Sequence, residues 1–340
     1  MWEVLNSNSS GDSWRTAESV SPQHPDKITD QIADAILDAC LRRDPEARAA
    51  IEVVGGHGEM VVMGEVSAAL LEGEELREEI EKIGARLVEE KMTWRLNLAP
   101  QSPGIASGVD IGGAGDQGIM IGYATAETPE MLPREVVLAR RLNQFCYEKW
   151  PTNGKTQVTL QNNEVTGVVA SFQRAPGAEL RARVEEWLAS ETEVVRAAEC
   201  QFYVNPCGDW DGGPFAVDAG LTGRKIVIDN YGPRIPVGGG AFSGKDPTKV
   251  DRSGAYMARR VAVDYLRARK AREVLVRLAY VIGIAAPVEA TVIIDGQAEE
   301  IQGYDLTPEG IIEFLDLRRP IYEPTARWGH FGHPDFSWEG

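Results

Sequence analysis

Three times along the chain a long stretch with helical apolar spacing is set among short β-rich runs, and this alternation is the strongest constraint on the fold. The first helical stretch starts near Pro25 and Asp26 and continues through Ile28, Ile32, Ala35, Ile36 and Ala39, a helical recurrence behind a suitable start signal. Arg48 to Val54 and Glu59 to Val66 are β-rich runs split by Gly55-Gly56-His57-Gly58, a hairpin signal. Glu72 to Glu90 reads as a charged amphipathic helix. In the second third, Ile119 to Ala124 is strand-like and Pro133 to Glu148 helical. Gln157 to Leu160 and Val165 to Phe172 form a strand pair, followed by a helix over Ala178 to Ala198 and a strand over Cys200 to Val204. The last third offers a strand over Lys225 to Asp229, a Gly-rich loop and a helix over Gly254 to Lys270. Strands over Val274 to Ile284 and Ala290 to Ile294 follow, then a helix over Pro308 to Leu317. The architecture that fits is α+β, three similar sheet-and-helix domains, although no close sequence repeat accompanies the pattern.

The expected division is a loose leader over 1–13, an N-terminal domain over 14–110, a central domain over 111–217 and a C-terminal domain over 218–340. Leu98 to Gly115 is rich in Gly, Ser and Pro and lacks periodicity. Loops of that length in compact proteins tend to be functional lids, so 98–110 is expected to gate a site. Lys+Arg 35 against Asp+Glu 52 gives 35 − 52 = −17, a balance that disfavours nucleic acid and anionic membrane as partners. If the ligand is an anion, the basic residues must be concentrated at its site. Met1 to Trp14 lacks the basic and apolar regions of a signal peptide. The most apolar stretch, Ala279 to Ile294, is cut by Pro287 and Glu289 and is too short to span a bilayer. Cys40, Cys146, Cys200 and Cys207 form no CxxC pair and suit reduced thiols. A soluble cytoplasmic protein is expected.

Two glycine motifs mislead. Gly113-Ala-Gly115-Asp-Gln-Gly118 satisfies G-x-G-x-x-G, but dinucleotide binding needs a strand before that pattern and a helix after it. Here a loop precedes and an apparent strand follows, which suits a tight turn presenting Asp116. Gly239-Gly-Ala-Phe-Ser-Gly244-Lys245 nearly satisfies the phosphate-loop pattern, but Asp246 stands where a Mg²⁺-binding hydroxyl belongs. What survives is a Gly-rich backbone open to polyphosphate, with Lys245, Lys249 and Arg252 beside Asp246 and Asp251; a mixed-charge surface loop is the alternative. His24-Pro-Asp26-Lys27 sets an imidazole, a carboxylate and an ammonium at a helix start. Such a place favours phosphate oxygens with Asp26 on a metal, or else Asp26 is simply a capping residue. Asp218 to Lys225 adds a basic pair after glycines, ambiguous by itself.

Taken together and in order, these segments resemble the methionine adenosyltransferases, or S-adenosylmethionine synthetases. The matching stretches are ESVSPQHPDKITDQIADAILDA (18–39), GAGDQGIMIGYATAETPEMLP (113–133), GKTQVT (154–159) and GLTGRKIVIDNYG (220–232). GGGAFSGKDPTKVDRSGAYMARRVA (238–262) and GHFG (329–332) complete the set. The resemblance implies three similar α+β domains around a pseudo-threefold axis and an active site between the subunits of a dimer or dimer of dimers. It implies that methionine sulfur attacks C5′ of ATP and displaces the triphosphate, which is hydrolysed to pyrophosphate and phosphate. Mg²⁺ and K⁺ are the implied cofactors. By position, His24 resembles the histidine beside the phosphate chain, Asp26 the Mg²⁺ ligand and Glu52 the carboxylate that places K⁺. Glu65, Gln101, Asp218 and Lys249 match methionine-binding positions. Asn153, Gly154, Lys155, Asp209, Trp210, Asp218, Arg224, Lys225, Ala241 and Lys245 match ATP-binding positions, with Trp210 where an aromatic ring stacks on adenine. His24, Lys155 and Lys245 are the implied catalytic residues.

The chain departs from that pattern at Gly104 and Asn153, where Asp is usual, at Asp209, where Arg or Lys is usual, and at Val237, where His is usual. A shorter loop between Val109 and Gly113 is a further difference. Two other classes of function are set against the transferase. A non-catalytic subunit would not need His24, Asp26, Lys245 and Lys249. A polyphosphate or nucleotide hydrolase would not need Glu65 and Gln101.

Overall fold

The computed structural model describes residues 14–101 and 112–340; the expectations for the leader, for Gly104 and for most of the gating loop lie outside these residues. The first third contains β1 (Trp14–Val20), α1 (Pro25–Arg43), β2 (Ala49–Gly56), β3 (Glu59–Val66), α2 (Glu75–Leu87) and β4 (Thr93–Pro100). The second contains β5 (Gly118–Thr125), α3 (Arg134–Lys149), β6 (Gly154–Gln161), β7 (Glu164–Phe172), α4 (Gly177–Ser190) and β8 (Val195–Val204). The third contains β9 (Gly220–Leu221), α5 (Val250–Arg269), β10 (Glu273–Tyr280), β11 (Glu289–Ile294), β12 (Gln297–Glu300) and α6 (Pro308–Leu315).

Each third therefore runs strand, long helix, hairpin, further strand. His57-Gly58, Asn162-Asn163 and Asp295-Gly296, two-residue turns with positive φ, join β2 to β3, β6 to β7 and β11 to β12. Two-residue turns of that hand match the twist of the strands they join. In the first two thirds a helix then crosses over to a parallel strand, β3 to β4 and β7 to β8; in the last, β12 simply returns antiparallel to β11.

The described residues form three four-stranded sheets, and none is built from one third alone. Their orders are β4-β3-β2-β9, β1-β6-β7-β8 and β12-β11-β10-β5. The first strand of each third is lent to another: β1 pairs with β6, β5 with β10 and β9 with β2. This cyclic exchange ties the thirds by main-chain hydrogen bonds and brings distant segments to common sheet edges. Helices α1 and α5 share one continuous core, in which Ile32, Ile36, Val53, Val62, Met257 and Val276 are buried. A second core, with Leu142, Val158, Phe172 and Trp187, lies between α3, α4 and the sheet of β6 and β7.

Several sequence expectations need correction. Lys225 to Asp229 is not a strand: Ile226–Asp229 forms one helical turn, in which the Asp229 N–H donates to the Lys225 carbonyl at 2.8 Å. Its β-branched composition is overridden because Lys225 must reach Asp26 while Asp229 reaches Lys27. Residues four apart are neighbours on a helical turn but about 13 Å apart along a strand. Helix α4 ends at Ser190, and β8 already begins at Val195. Strand β10 stops at Tyr280, and Leu98 to Pro100 belong to β4. The Gly-rich loop before α5 follows no strand, so the phosphate-loop context is missing. Gly118, the last glycine of G-x-G-x-x-G, opens strand β5, which is the context expected of a turn and not of a dinucleotide site.

Candidate active site

Helix α1 organises the site. His24 is its N-cap, and its Nδ1 accepts the backbone N–H of Asp26 at 3.1 Å. Burial, with Lys225, Lys155 and Lys27 nearby, lowers the imidazole pKa to about 3. The ring is therefore neutral at ordinary pH; with Nδ1 accepting, its proton sits on Nε2 as a donor. Asp26, in the first turn, is almost fully buried. One oxygen accepts the Leu221 N–H at 2.9 Å and the other accepts Lys225 Nζ, with Arg224 at 3.7 Å. Burial opposes its charge, but the Lys225 and Leu221 bonds outweigh that and hold the carboxyl below its usual range.

Asp26 is the first of four carboxylates at intervals of four residues on α1, a stripe that grips segments from the far end of the chain. Asp30 accepts the Gly223 N–H at 2.8 Å, and Asp34 accepts the Gly244 N–H at 2.8 Å. Asp38 accepts the N–H groups of Tyr322 and Glu323 at 3.0 and 2.9 Å. Successive rungs lie about 6 Å apart along the axis, so one helix spaces the 220–225 and 238–245 loops. Lys27 donates to Asp30 at 3.0 Å and Asp229 at 2.7 Å. Burial works against its charge, yet Asp229 and Asp30 outweigh it and raise its pKa. Arg252 makes a two-pronged, fully buried pair with Asp34 at 2.6 and 2.9 Å.

The Gly-rich loop lies against the start of β2. Ile51 N–H donates to the Gly244 carbonyl and Asp246 N–H to the Ala49 carbonyl, each at 3.0 Å, and Lys245 bridges Ala50. Gly244 has φ +83, and a Cβ there would stand 2.0 Å from the Ile51 carbonyl oxygen; only glycine fits. Ala50 is in register with Glu65, so Glu65, Ala50 and Lys245 form one row across three adjacent segments. Glu52 lies next on that open face; desolvation raises its carboxyl and Lys245 opposes the shift. Lys245 Nζ pairs with Asp251 at 2.6 Å. Gln101 N–H donates to the Val66 carbonyl at 3.0 Å, at the end of the strand carrying Glu65. Lys249 pairs with Asp246, whose carboxylate is fully buried and also holds the Ala49 N–H and Thr248. Asp246, in the place of the missing hydroxyl, is thus a loop anchor.

Lys155 reaches the site through Ser21, which sequence reasoning missed. Ser21 N–H donates to the Gly154 carbonyl at 2.8 Å, its Oγ accepts the Gly154 N–H at 3.0 Å, and its carbonyl accepts the His24 N–H at 3.0 Å. The 153–155 segment is thereby fastened to the His24 turn. Asn153 accepts the Gln173 N–H through its carbonyl at 2.9 Å, and Trp210 accepts the Arg174 N–H likewise at 2.9 Å. The Asp209 Oδ1 accepts the Gly177 N–H at 2.9 Å, at the start of α4, and Asn205 Nδ2 at 3.1 Å. Asp218 is exposed and accepts the next residue's N–H at 2.9 Å. The Ala241 side chain stands over Gly223, joining the two phosphate-loop candidates. The i, i+4 recurrence of Asp26, Asp30, Asp34 and Asp38 was the legible signal for the ladder; Ser21 and Gln173 carried none.

Among the described residues no group of three or more His, Cys, Asp or Glu side chains is close enough to hold a metal. The donors suit Mg²⁺ only in its usual mode, one or two protein carboxylates with the remaining positions filled by phosphate oxygens and water; Asp26 is the carboxylate at that place.

Models of the S-adenosylmethionine synthetase N-terminal, central and C-terminal domains match residues 12–102, 111–210 and 212–340. The chain is 40% identical over 370 residues to an S-adenosylmethionine synthase of Treponema denticola, with 95% of each chain covered. It is 41% identical over 378 residues to one of Thermus thermophilus and 42% over 379 to one of Paracoccus denitrificans, again covering 95% of each chain.

Proposed function

The chain belongs to the S-adenosylmethionine synthetase family, a family of methionine adenosyltransferases, and from that premise we propose how it joins ATP and L-methionine. The methionine sulfur gives a lone pair to C5′ of the ribose, and the C5′–O bond breaks with its electrons going to the triphosphate. Water then cleaves the bound triphosphate to pyrophosphate and phosphate. The first step makes a sulfonium cation and a polyanion, so its barrier falls most where fixed cations and donors await the leaving oxygens.

The observation that carries this reading is the convergence on the start of α1, where His24 presents a neutral ring with Lys155 nearby and Lys225 and Arg224 gather around Asp26. In a chain of net charge −17 this basic cluster is the place that receives a polyanion. Lys225 is already held in line with Asp26, so binding needs no large rearrangement. Mg²⁺ would be held by Asp26 together with the phosphate chain, where it neutralises developing charge. K⁺ would be placed by Glu52. Glu65, Gln101, Asp218 and Lys249 are assigned to methionine. Asn153, Gly154, Asp209, Trp210, Asp218, Ala241 and Lys245 are assigned to ATP.

We also take the chain as domains over 14–110, 111–217 and 218–340 with a gating loop at 98–110, related by a pseudo-threefold axis. The three-way strand exchange is what such a relation would produce. Self-association with a shared active site is supported by the open sheet faces, which leave Met63, Ile119 and Tyr203 exposed. The cytoplasm suits four free cysteines, and no described helix is long and apolar enough to cross a membrane. The test is an assay of the purified chain with ATP, Mg²⁺ and K⁺, with and without methionine. Sulfonium product with pyrophosphate and phosphate is expected; phosphate release indifferent to methionine would sink the reading.

A further inference from the structure

We propose that Arg174 is a nucleotide-recognition residue of this chain, its guanidinium contacting the purine held by Trp210. The proposal rests on the assignment of Trp210 to adenine and adds a residue with no role in it so far.

Gln173 and Arg174 follow β7 and thread between the two segments assigned to the nucleoside. Gln173 N–H bonds the Asn153 carbonyl and Arg174 N–H bonds the Trp210 carbonyl, each at 2.9 Å. Gln173, itself buried, also donates its amide to the carbonyls of Asp211 and Gly212 at 3.2 and 2.8 Å. The two residues thus fix the spacing of Asn153 and Trp210. Arg174 does so with φ +61, a conformation unfavourable for a long side chain. Strain of this kind is kept where the surroundings require it, often at a binding site.

The side chain stays about half exposed, with Nε donating to Asp211 Oδ1 at 2.7 Å and one terminal nitrogen 4.0 Å from Glu89. Asp211 thereby orients the guanidinium plane. Asp209, the other carboxylate of the loop, bonds the start of α4, so Asp211 and Glu89 are the carboxylates that pair with Arg174. With its backbone bonded to the Trp210 carbonyl, Arg174 brings to the adenine segment a planar cation suited to stack on a purine or donate to its ring nitrogens. A phosphate role is disfavoured, because the basic cluster for phosphate lies at the other end of this segment, around His24 and Lys155.

Arg174→Gly removes the guanidinium and relaxes the strained backbone, and Arg174→Lys keeps the charge without the planar fork. Binding of ATP and of inorganic tripolyphosphate to the full-length protein is measured by calorimetry, alongside methionine-dependent turnover. Arg174→Gly should weaken ATP by about tenfold and leave tripolyphosphate within twofold, with Arg174→Lys failing to restore ATP. Unchanged ATP affinity overturns the proposal. So does an equal loss for tripolyphosphate, which would mark a phosphate contact or a merely structural role. Wild-type protein that binds ATP yet makes no sulfonium product removes the transferase reading, while the ATP-to-tripolyphosphate comparison still decides Arg174.

Discussion

Asp34 on α1 accepts the backbone N–H of Gly244 at 2.8 Å, and the same carboxylate closes on Arg252 with both oxygens. A helix from the start of the chain thereby sets the height of a loop more than two hundred residues away. Replacing Asp34 by Ala leaves a fully buried guanidinium unpaired and an amide unsatisfied. Removing one partner of a buried pair costs about 3–5 kcal/mol. Urea unfolding of Asp34→Ala should show that loss, and a change below about 1 kcal/mol would refute the anchoring role.

The neutral state of His24 has a consequence for stability. Its folded pKa is about 3 against 6.5 for the free side chain, so between those values the unfolded chain binds a proton that the folded chain does not. Stability contributed by this group is present above pH 6.5 and is lost as pH falls toward 3. Each unmatched proton is worth about 1.4 kcal/mol per pH unit. His24→Gln should flatten the dependence of unfolding free energy on pH between 4.5 and 6 by about that slope. Asp38 works in the other direction, because burial raises its carboxyl to about 6, so its contribution is lost as pH rises through 6. The His24 effect is read from the difference between wild type and variant at each pH. An unaltered slope would mean that the ring is charged in the folded protein.

At Gly244 the backbone is left-handed and abuts the Ile51 carbonyl. Alanine there meets a conformational cost of about 1–2 kcal/mol before the clash is counted, and the loop must move. Gly244→Ala should displace Lys245 from its place beside Ala50 and raise the KM for ATP more than tenfold. Wild-type kinetics in that variant would show that the loop position is unimportant.

The sequence carried the helices, the first hairpin and the phosphate and metal candidates, because each leaves a local mark. Pro25 and Asp26 announce α1, and His57-Gly58 announces a turn. The strand exchange left none, since β1 finds its partner in Gly154–Gln161 and a seven-residue strand does not declare what it pairs with. Lys225 to Asp229 was misread because its β-branched residues favour a strand while two buried ion pairs demand a helical turn. Asp209 gave no local sign that its oxygen takes the Gly177 N–H at the start of α4. The positions of Asp30, Asp34 and Asp38 were visible, but their partners lie on loops whose approach no spacing reveals.

On the proposed assignment, the pairing of Lys225 with Asp26 links phosphate affinity to the metal requirement. Lys225 donates to one Asp26 oxygen while the Leu221 N–H holds the other, so the carboxylate is oriented before any polyanion arrives. Lys225→Ala removes both a phosphate partner and that orientation. A hydrogen bond to a charged group is worth about 1.5–3 kcal/mol, so inhibition by tripolyphosphate should weaken by about 10- to 150-fold. Asp26→Asn keeps an oxygen for the Leu221 N–H but loses the charge, so its main effect should be a higher half-saturating Mg²⁺ concentration, and chelation should stop turnover in the wild type. If Asp26→Asn kept the wild-type Mg²⁺ dependence, the ion would have to be held by the phosphates and other residues, leaving Asp26 as a cap for α1 and a tether for Lys225.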